Sequence, residues 1–398
     1  MKKFNKIFLI FFLLTFIACG EKQPAGANHE VVNSDKNGKN KYDFSGVEKI
    51  VNDAIKDSAF PGAVVLVEKN GKIIFEKAFG HFTYDKNSPP VRTSTLFDLA
   101  SVSKVIATTT AAMVCFDRKL FKLDDKVSKF IPEFAQNGKG DITIRNLLLH
   151  NSGLPAYKRF YKFCKNADDV LKDIYSTKLE YPTGSQTVYS DLGMILMGKI
   201  IEKVTGMTLD QFAKKEIFIP LGMKNTMYNP PDSLKKKCVP TEIDNYWRHK
   251  LIQGEVHDET AAMLGGVAGH AGLFSTAEDI AKVLQMLLQK GKFKGKQIVK
   301  AGTIRLFITK QSAGGGEESS RALGWDTKSP VGSSAGNLFS DKSYGHTGFT
   351  GTSVWTDPTR NLFVVFLTNR VYPTRENNKL LKVRPALHDA VINAIAKR

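Results

Sequence analysis

Ser101-Val102-Ser103-Lys104 sets a hydroxyl and an amine three residues apart. On a helix that spacing puts both on one face, a turn from each other. A serine at such a helix start can open into a cleft. The positive helix end disfavours an ammonium, so Lys104 is expected to shed its proton and act as, or assist, a base. Ser233-Leu234-Lys235-Lys236 fits the same pattern but lies in a polar run. Ser101 instead follows Leu96-Phe97-Asp98-Leu99-Ala100 and opens the apolar stretch Val105 to Met113. Ser101 is thus the candidate nucleophile, its competing role being a helix N-cap. Gly332-Ser333-Ser334-Ala335-Gly336 has the G-x-S-x-G pattern of a nucleophile elbow. An elbow needs a strand before it and a helix after it, and here Gly/Ser-rich chain lies on both sides.

Two further groups can converge on Ser101. Tyr189-Ser190-Asp191 opens the apolar stretch Leu192 to Ile201. It offers a phenol and a polar side chain to one cleft, and a phenol beside a lysine is expected to have a lowered pKa and to shuttle protons. Tyr344-Gly345-His346-Thr347-Gly348 heads a strand whose glycines let a substrate lie along the backbone and receive N–H bonds.

The elements needed to hold these groups can be read from periodicity. Residues 62–82 form two apolar strands joined at Asn70-Gly71, a hairpin turn. Thr352 to Thr356 and Leu362 to Thr368 form a second pair around Asp357-Pro358, followed by an amphipathic helix over 376–397. Neither hairpin is stable alone, so the two ends of the chain are expected to share one antiparallel sheet. Between them helices are expected at Ser101 to about Leu120, Ser190 to Thr205, Leu209 to Glu216 and Thr276 to Lys290, the last capped at Ser275-Thr276-Ala277-Glu278. Segment 311–345, rich in Gly and Ser, reads as loop.

Together the motifs resemble the serine β-lactamase and penicillin-binding protein superfamily, in its class C-like branch. Ser101-Val102-Ser103-Lys104 resembles its nucleophile motif, Tyr189-Ser190-Asp191 its Tyr-x-Asn, and His346-Thr347-Gly348 its Lys-Thr-Gly, in that order. Leu147 to Leu154, Gly198 to Gly206 and Ala271 to Thr276 are similar to accessory stretches of the family. The resemblance covers roughly residues 45–397. It implies an α/β fold, an antiparallel sheet flanked by helices with a large, mainly helical insertion. It also implies a serine hydrolase working through an acyl-enzyme, with no metal or organic cofactor. Ser101 would attack an acyl carbonyl, and Lys104 and Tyr189 would share the base and acid roles. The backbone N–H groups of Ser101 and Phe349 would form the oxyanion hole.

Two departures bear on the substrate. Asp191 stands where the family has Asn, and a carboxylate there favours a charged Lys104. His346 stands where the family has Lys, so the charge that holds a substrate carboxylate becomes conditional on pH. Asp191, His346, Thr347 and Gly348 are the expected substrate-facing residues, and poor β-lactamase activity is expected. The stretch Trp247-Arg248, Gln253 to Glu259 and Gly265 to Phe274 resembles the branch containing muramyl-peptide amidases, which cut between N-acetylmuramic acid and L-alanine. Arg248, Glu255, His257 and Asp258 are placed near the substrate on that basis. The spacing of His257, Asp258 and His270 fits no standard zinc motif, and no metal is expected. The alternatives are a D-Ala-D-Ala carboxypeptidase or short-chain esterase, and, in another class, a penicillin-binding sensor that never turns over.

The chain has 398 residues with 42% hydrophobic and 24% charged, an ordinary globular balance. Lys2, Lys3 and Lys6 precede an apolar run, Ile7 to Ile17, too short to span a bilayer. Phe16-Ile17-Ala18-Cys19 resembles a bacterial lipobox. Residues 1–18 are therefore expected to be a signal peptide, Cys19 the lipidation point and 19–43 a flexible linker, with 44–398 the hydrolase domain on a cell-envelope membrane. Cys115, Cys164 and Cys238 cannot close a disulfide framework and read as small buried thiols. The formal charge of +18 comes without any recognition element for nucleic acid and reads as a basic surface. A muropeptide or small-molecule substrate, a membrane reached through the lipid, and a monomer complete the expectations.

Overall fold

The computed structural model describes residues 42–312 and 321–396. The expected leader, Cys19 and nearly all of the linker lie outside the described residues, as does part of the Gly/Ser-rich segment.

A six-stranded antiparallel sheet is built from both ends of the chain, as its hairpins require. Its strands are β1 Gly62–Lys69, β2 Lys72–Gly80, β3 Asp326–Thr327, β4 Tyr344–Thr347, β5 Ser353–Asp357 and β6 Leu362–Thr368, in the order β3-β4-β5-β6-β1-β2. The joint between the two ends is the β1–β6 pair, in which Val65 faces Phe366 and Leu66 faces Val365. Successive side chains of a strand point to opposite faces. Val64 and Leu66 accordingly enter a core with the helical body, while Ala63, Val65 and Val67 enter another beneath helices α1 Ser45–Lys56 and α5 Leu380–Ala396. Both faces are covered, which is why β1 and β6 read as unbroken apolar runs. Each fully buried Val or Leu here contributes about 1.5–3 kcal/mol.

Other elements stop or start differently from their periodicity. The expected helix from Ser101 to Leu120 is a 3₁₀ turn Ala100–Val102, a π-helical stretch Lys104–Thr109 and then α2 Thr110–Asp117. The helix expected over 209–216 is α-helical only at Leu209–Ala213, and a π-helical stretch, Lys214–Phe218, follows. The helix expected from 376 begins at Leu380. In contrast α3 Asp191–Thr205 and α4 Ala277–Leu288 start where their caps predict. The Ser190 and Thr276 hydroxyls accept from Gly193 N and Asp279 N, each at 3.3 Å. Ser334 is built into the frame rather than an elbow. Its hydroxyl accepts from Trp355 Nε1 at 3.1 Å, and its carbonyl meets His388 Nδ1 at 2.9 Å.

Candidate active site

Ser101 is delivered by a strained approach. Strand Phe97–Asp98 pairs with Leu273–Ser275, and Leu99 N donates to Leu273 O at 2.9 Å. Ala100 then takes a left-handed φ of 47°, held by its N–H on Asp98 Oδ1 at 2.8 Å. Such a conformation costs a non-glycine residue about 1–3 kcal/mol and collects at functional sites. The π-helical stretch that follows is another feature concentrated at functional sites.

Lys104, fully buried, faces three oxygens, two as a hydrogen-bond donor and one as an ion pair. Its Nζ lies 2.9 Å from Ser101 Oγ, 2.9 Å from His270 O and 2.7 Å from Asp191 Oδ1. It also sits 4.9 Å from the centre of the Tyr189 ring. Burial by itself pulls the lysine down, but Asp191 and Tyr189 outweigh it and hold Lys104 above its ordinary value. The expected proton loss at a helix terminus is therefore reversed by the half-buried Asp191 carboxylate at contact distance. The expectation for Tyr189 is corrected too. Burial pushes the phenol up to about 12, and the Lys104 charge offsets only part of that. Its hydroxyl is close enough to feel Lys104 and Ser101, yet no partner among the described residues meets hydrogen-bond geometry. The resting cluster is a charged Lys104, a neutral Tyr189 and an Asp191 carboxylate at the first turn of α3.

His346 is buried on β4, its Nδ1 meeting Thr347 O at 2.8 Å. Burial foremost, with help from Lys104 and Arg321 against Asp326, pushes it down to about 4. The imidazole is neutral through the physiological range, so the fixed charge is not restored on mild acidification. Thr347 ends β4, and Gly348 follows in a turn that must pass close to Leu99. A Cβ at 348 would stand 2.4 Å from Leu99 O, so only glycine fits without a shift. Thr350 and Thr352 donate from Oγ1 to Asp98 O and Leu99 O, both at 2.8 Å. These bonds fasten the turn carrying Phe349 to the residues directly before Ser101. Phe349 is 47% exposed, and its ring centroid lies 5.6 Å from that of His257.

The stretch 242–259 divides. Asp258 caps helix Glu259–Met263 and meets His270 Nε2 at 2.7 Å. Burial would raise its carboxyl, but His270 and Lys104 are among the influences that hold it well below the usual range. His257 Nε2 meets Glu242 Oε2 at 2.9 Å, and its backbone N–H donates to Asp98 Oδ2 at 2.6 Å. Arg248 faces inward, bonded to Asp244, Val256 O and His257 O at 2.7 to 3.0 Å. Glu255 pairs with Lys250 at 2.7 Å on the exposed hairpin. Asp258 and His257 thus reach the Ser101 surroundings, whereas Arg248 braces their loop and Glu255 binds a surface lysine.

Three residues at the site had no assigned role in the sequence reading. His150 accepts Ser190 N on Nδ1 at 3.0 Å and lies 4.8 Å from the Tyr189 ring, fixing the entry to α3. It stands in the accessory stretch Leu147 to Leu154, and that context was its available signal. Asp98 braces both Ala100 and His257. Its signal was a lone carboxylate inside an apolar run. Arg321 stacks its guanidinium 5.3 Å from the Tyr189 ring and ion-pairs with Asp326. Nothing local in the sequence marks it.

A serine hydroxyl pressed on a buried ammonium beside a phenol, after a strained turn, is an arrangement that suits a serine hydrolase. The chain matches the Beta-lactamase family over residues 47–386 and belongs to it. It is 35% identical over 350 residues to the N-acetylmuramyl-L-alanine amidase of Bacillus subtilis (strain 168), covering 79% of this chain and 78% of that one. It is 34% identical over 348 residues to a protein of Escherichia coli (strain K12) named "Putative D-alanyl-D-alanine carboxypeptidase", covering 79% of each. In fold it is similar to a class C beta lactamase from Rhodobacter sphaeroides, with a TM-score of 0.68, 20% identity and coverage of 87% of this chain and 99% of that one.

Proposed function

We propose that the enzyme cleaves amide bonds in peptidoglycan fragments, at the junction of N-acetylmuramic acid and L-alanine. Ser101 Oγ attacks the acyl carbonyl. Its proton passes to Lys104 as Lys104 gives one to Asp191, so the ammonium charge is kept and the carboxylate is neutralised. The Tyr189 hydroxyl protonates the leaving amine and is recharged from Lys104, which takes its proton back from Asp191 so that the ammonium and the carboxylate are restored. The N–H groups of Ser101 and Phe349 receive the negative charge on the acyl oxygen. Water then repeats the sequence on the acyl-enzyme, releasing acid and restoring Ser101.

The observation that carries the substrate reading is the charge of the cleft. His346 is neutral and Asp191 is a carboxylate. An anionic group beside the scissile bond is therefore poorly served, and an internal amide of a muropeptide has none there. The amidase relative supports the same reading. A second reading, D-Ala-D-Ala carboxypeptidase, is favoured by Arg321, whose guanidinium above Tyr189 can receive a terminal carboxylate. Mass spectrometry of muropeptides incubated with wild type and Ser101→Ala separates them. Free N-acetylmuramic acid, absent with Ser101→Ala, is expected. Released D-alanine would replace the first reading by the second.

We also propose that the enzyme is secreted and lipid-anchored through Cys19, acting as a monomer at a membrane. The Lys2-Lys3-Lys6 cluster, the run Ile7 to Ile17 and the Ala18-Cys19 junction support this. Cys19→Ala is expected to move the protein from the membrane to the soluble fraction.

A further inference from the structure

The turn Gly348 to Thr352 is gripped from behind by two guanidiniums. Arg384, on α5, donates from Nη2 to Gly348 O and to Thr352 O, both at 2.8 Å. Arg370 donates from Nε to Phe349 O at 2.8 Å. Arg384 is 6% exposed, and among the described residues no carboxylate pairs with it. Burial, then the neighbouring Arg370 charge, lower its proton affinity to about 9, which leaves it cationic at neutral pH. A buried cation without a counter-ion is costly, and two carbonyls need only neutral donors. The cost points to a use.

The two arginines act on different peptide planes. In a trans peptide the C=O of one residue and the N–H of the next are antiparallel. Among the described residues the cis bond is Tyr372–Pro373, so Gly348–Phe349 is trans. Gly348 O and Phe349 N–H share one plane, and Phe349 O belongs to the next. A cation on Gly348 O fixes where the Phe349 N–H points. It also draws electron density from that amide and strengthens the N–H as a donor. A cation on Phe349 O does neither. The placement agrees, since α5 packs on the sheet face opposite the helical body that holds Val102 and Val105.

We propose that Arg384 is a positioning residue for the oxyanion, aiming and polarising the Phe349 N–H through the Gly348–Phe349 peptide. The proposal rests on the Phe349 role given above but not on which acyl compound is cleaved. Arg384 makes and breaks no bond in the reaction.

The test uses a p-nitrophenyl ester carrying a ¹³C-labelled acyl carbonyl. Rates are taken per titrated active site, so partial folding of a variant does not enter. Arg384→Gln is expected to lose roughly 10- to 100-fold in acylation rate with KM little changed, short of the 10²–10³ seen when a donor is lost outright. Arg384→Lys is expected to fall between it and wild type, and either variant alone decides the matter. In both, the infrared C=O band of the acyl-enzyme is expected to move toward that of the free ester. Arg370→Lys is expected to lower the melting temperature and leave the band in place. Wild-type band and rate in the Arg384 variants would overturn the proposal, as would an equal shift in Arg370→Lys. A wild-type acyl-enzyme whose band matches the free ester would instead remove the Phe349 role itself.

Discussion

Two buried polar clusters lie within this cleft wall, and they are finished to different degrees. Around Glu242 every charge is matched. Its carboxylate accepts from Arg375 N, Nε and Nη2 and meets His257 Nε2, while Glu259 accepts from Tyr246 and Arg375. Around Ser101 the matching is incomplete. Lys104 donates to Ser101 Oγ and His270 O and ion-pairs with Asp191, but Asp191 Oδ1, Tyr189 Oη, His150 Nε2 and His346 Nε2 are buried without a hydrogen-bond partner among the described residues. Buried polar groups in folded proteins are nearly all paired, and exceptions mark catalytic or strained sites. The saturated cluster shapes a loop, and the unsaturated one is, on the proposed function, where substrate atoms would complete the bonding.

The largest expected effect tests the unsaturated side. Tyr189→Phe removes one hydroxyl that has no hydrogen-bond partner among the described residues. If that hydroxyl transfers protons, kcat/KM for a chromogenic ester falls by roughly 10²–10⁴. Thermal stability stays the same or rises, because a buried unpaired hydroxyl is lost. A loss of only a few-fold would place Tyr189 among packing residues and erase the contrast.

Glu242→Gln tests the saturated side and should show the reverse pattern. Removing one partner of a buried ion pair leaves Arg375 and His257 undercompensated, at a cost of about 3 kcal/mol. Denaturant titration should show that loss, while ester turnover per titrated active site stays within tenfold of wild type. A larger drop in turnover with intact stability would move the Glu242 cluster into the catalytic machinery.

The third effect is smaller and depends on pH. His346 is held at about 4 by burial, against 6.5 in an unfolded chain. Between those values the unfolded imidazole binds a proton that the folded one refuses. Stability therefore falls as pH drops through 6.5 and levels off below about 4, a loss of about 2 kcal/mol by pH 5. His388, also lowered to about 4, has the same sign. Glu68 and Glu76, raised to about 7 by burial, have the opposite sign. The wild-type profile mixes these, so the diagnostic is the difference between wild type and His346→Gln. The variant should be relatively more stable at pH 5 than at pH 7.5. No change in that difference would mean His346 is charged in the fold.

The same contrast explains what could be read in the sequence. The sheet was legible because β1 and β6 are buried on both faces and write themselves as apolar runs. The meeting of Ser101, Lys104, Tyr189 and Asp191 was legible as well, since each opens a helical segment at a recognisable spacing. Their proton states were not. Lys104 is held up by a carboxylate more than 80 residues away in the chain, at 2.7 Å, and Tyr189 is pushed up by desolvation, which no local pattern records. The break of the Ser101 helix into 3₁₀, π and α pieces was invisible too, because burial runs almost unbroken through all three and the pattern does not change at the joints. Arg384 shows the limit most clearly. It sits in an amphipathic helix like any surface arginine, and only the fold reveals that it faces the back of the Gly348 turn.

The smallest effect separates two residues that arrived together. Arg248 and Glu255 were both placed near the substrate through one resembling stretch. Arg248 is inward, its guanidinium shared among one carboxylate and two carbonyls. Glu255 touches Lys250, and both side chains are largely in water. An exposed pair contributes about 0–1 kcal/mol and is screened by salt. Glu255→Gln is thus expected to change stability by less than about 0.5 kcal/mol. Turnover of muropeptide and of a small ester should remain at wild-type levels. A rise in KM for the muropeptide, with the ester unaffected, would show that this side of the hairpin reaches a long substrate. That result would carry the unsaturated region outward past the loop that Arg248 braces.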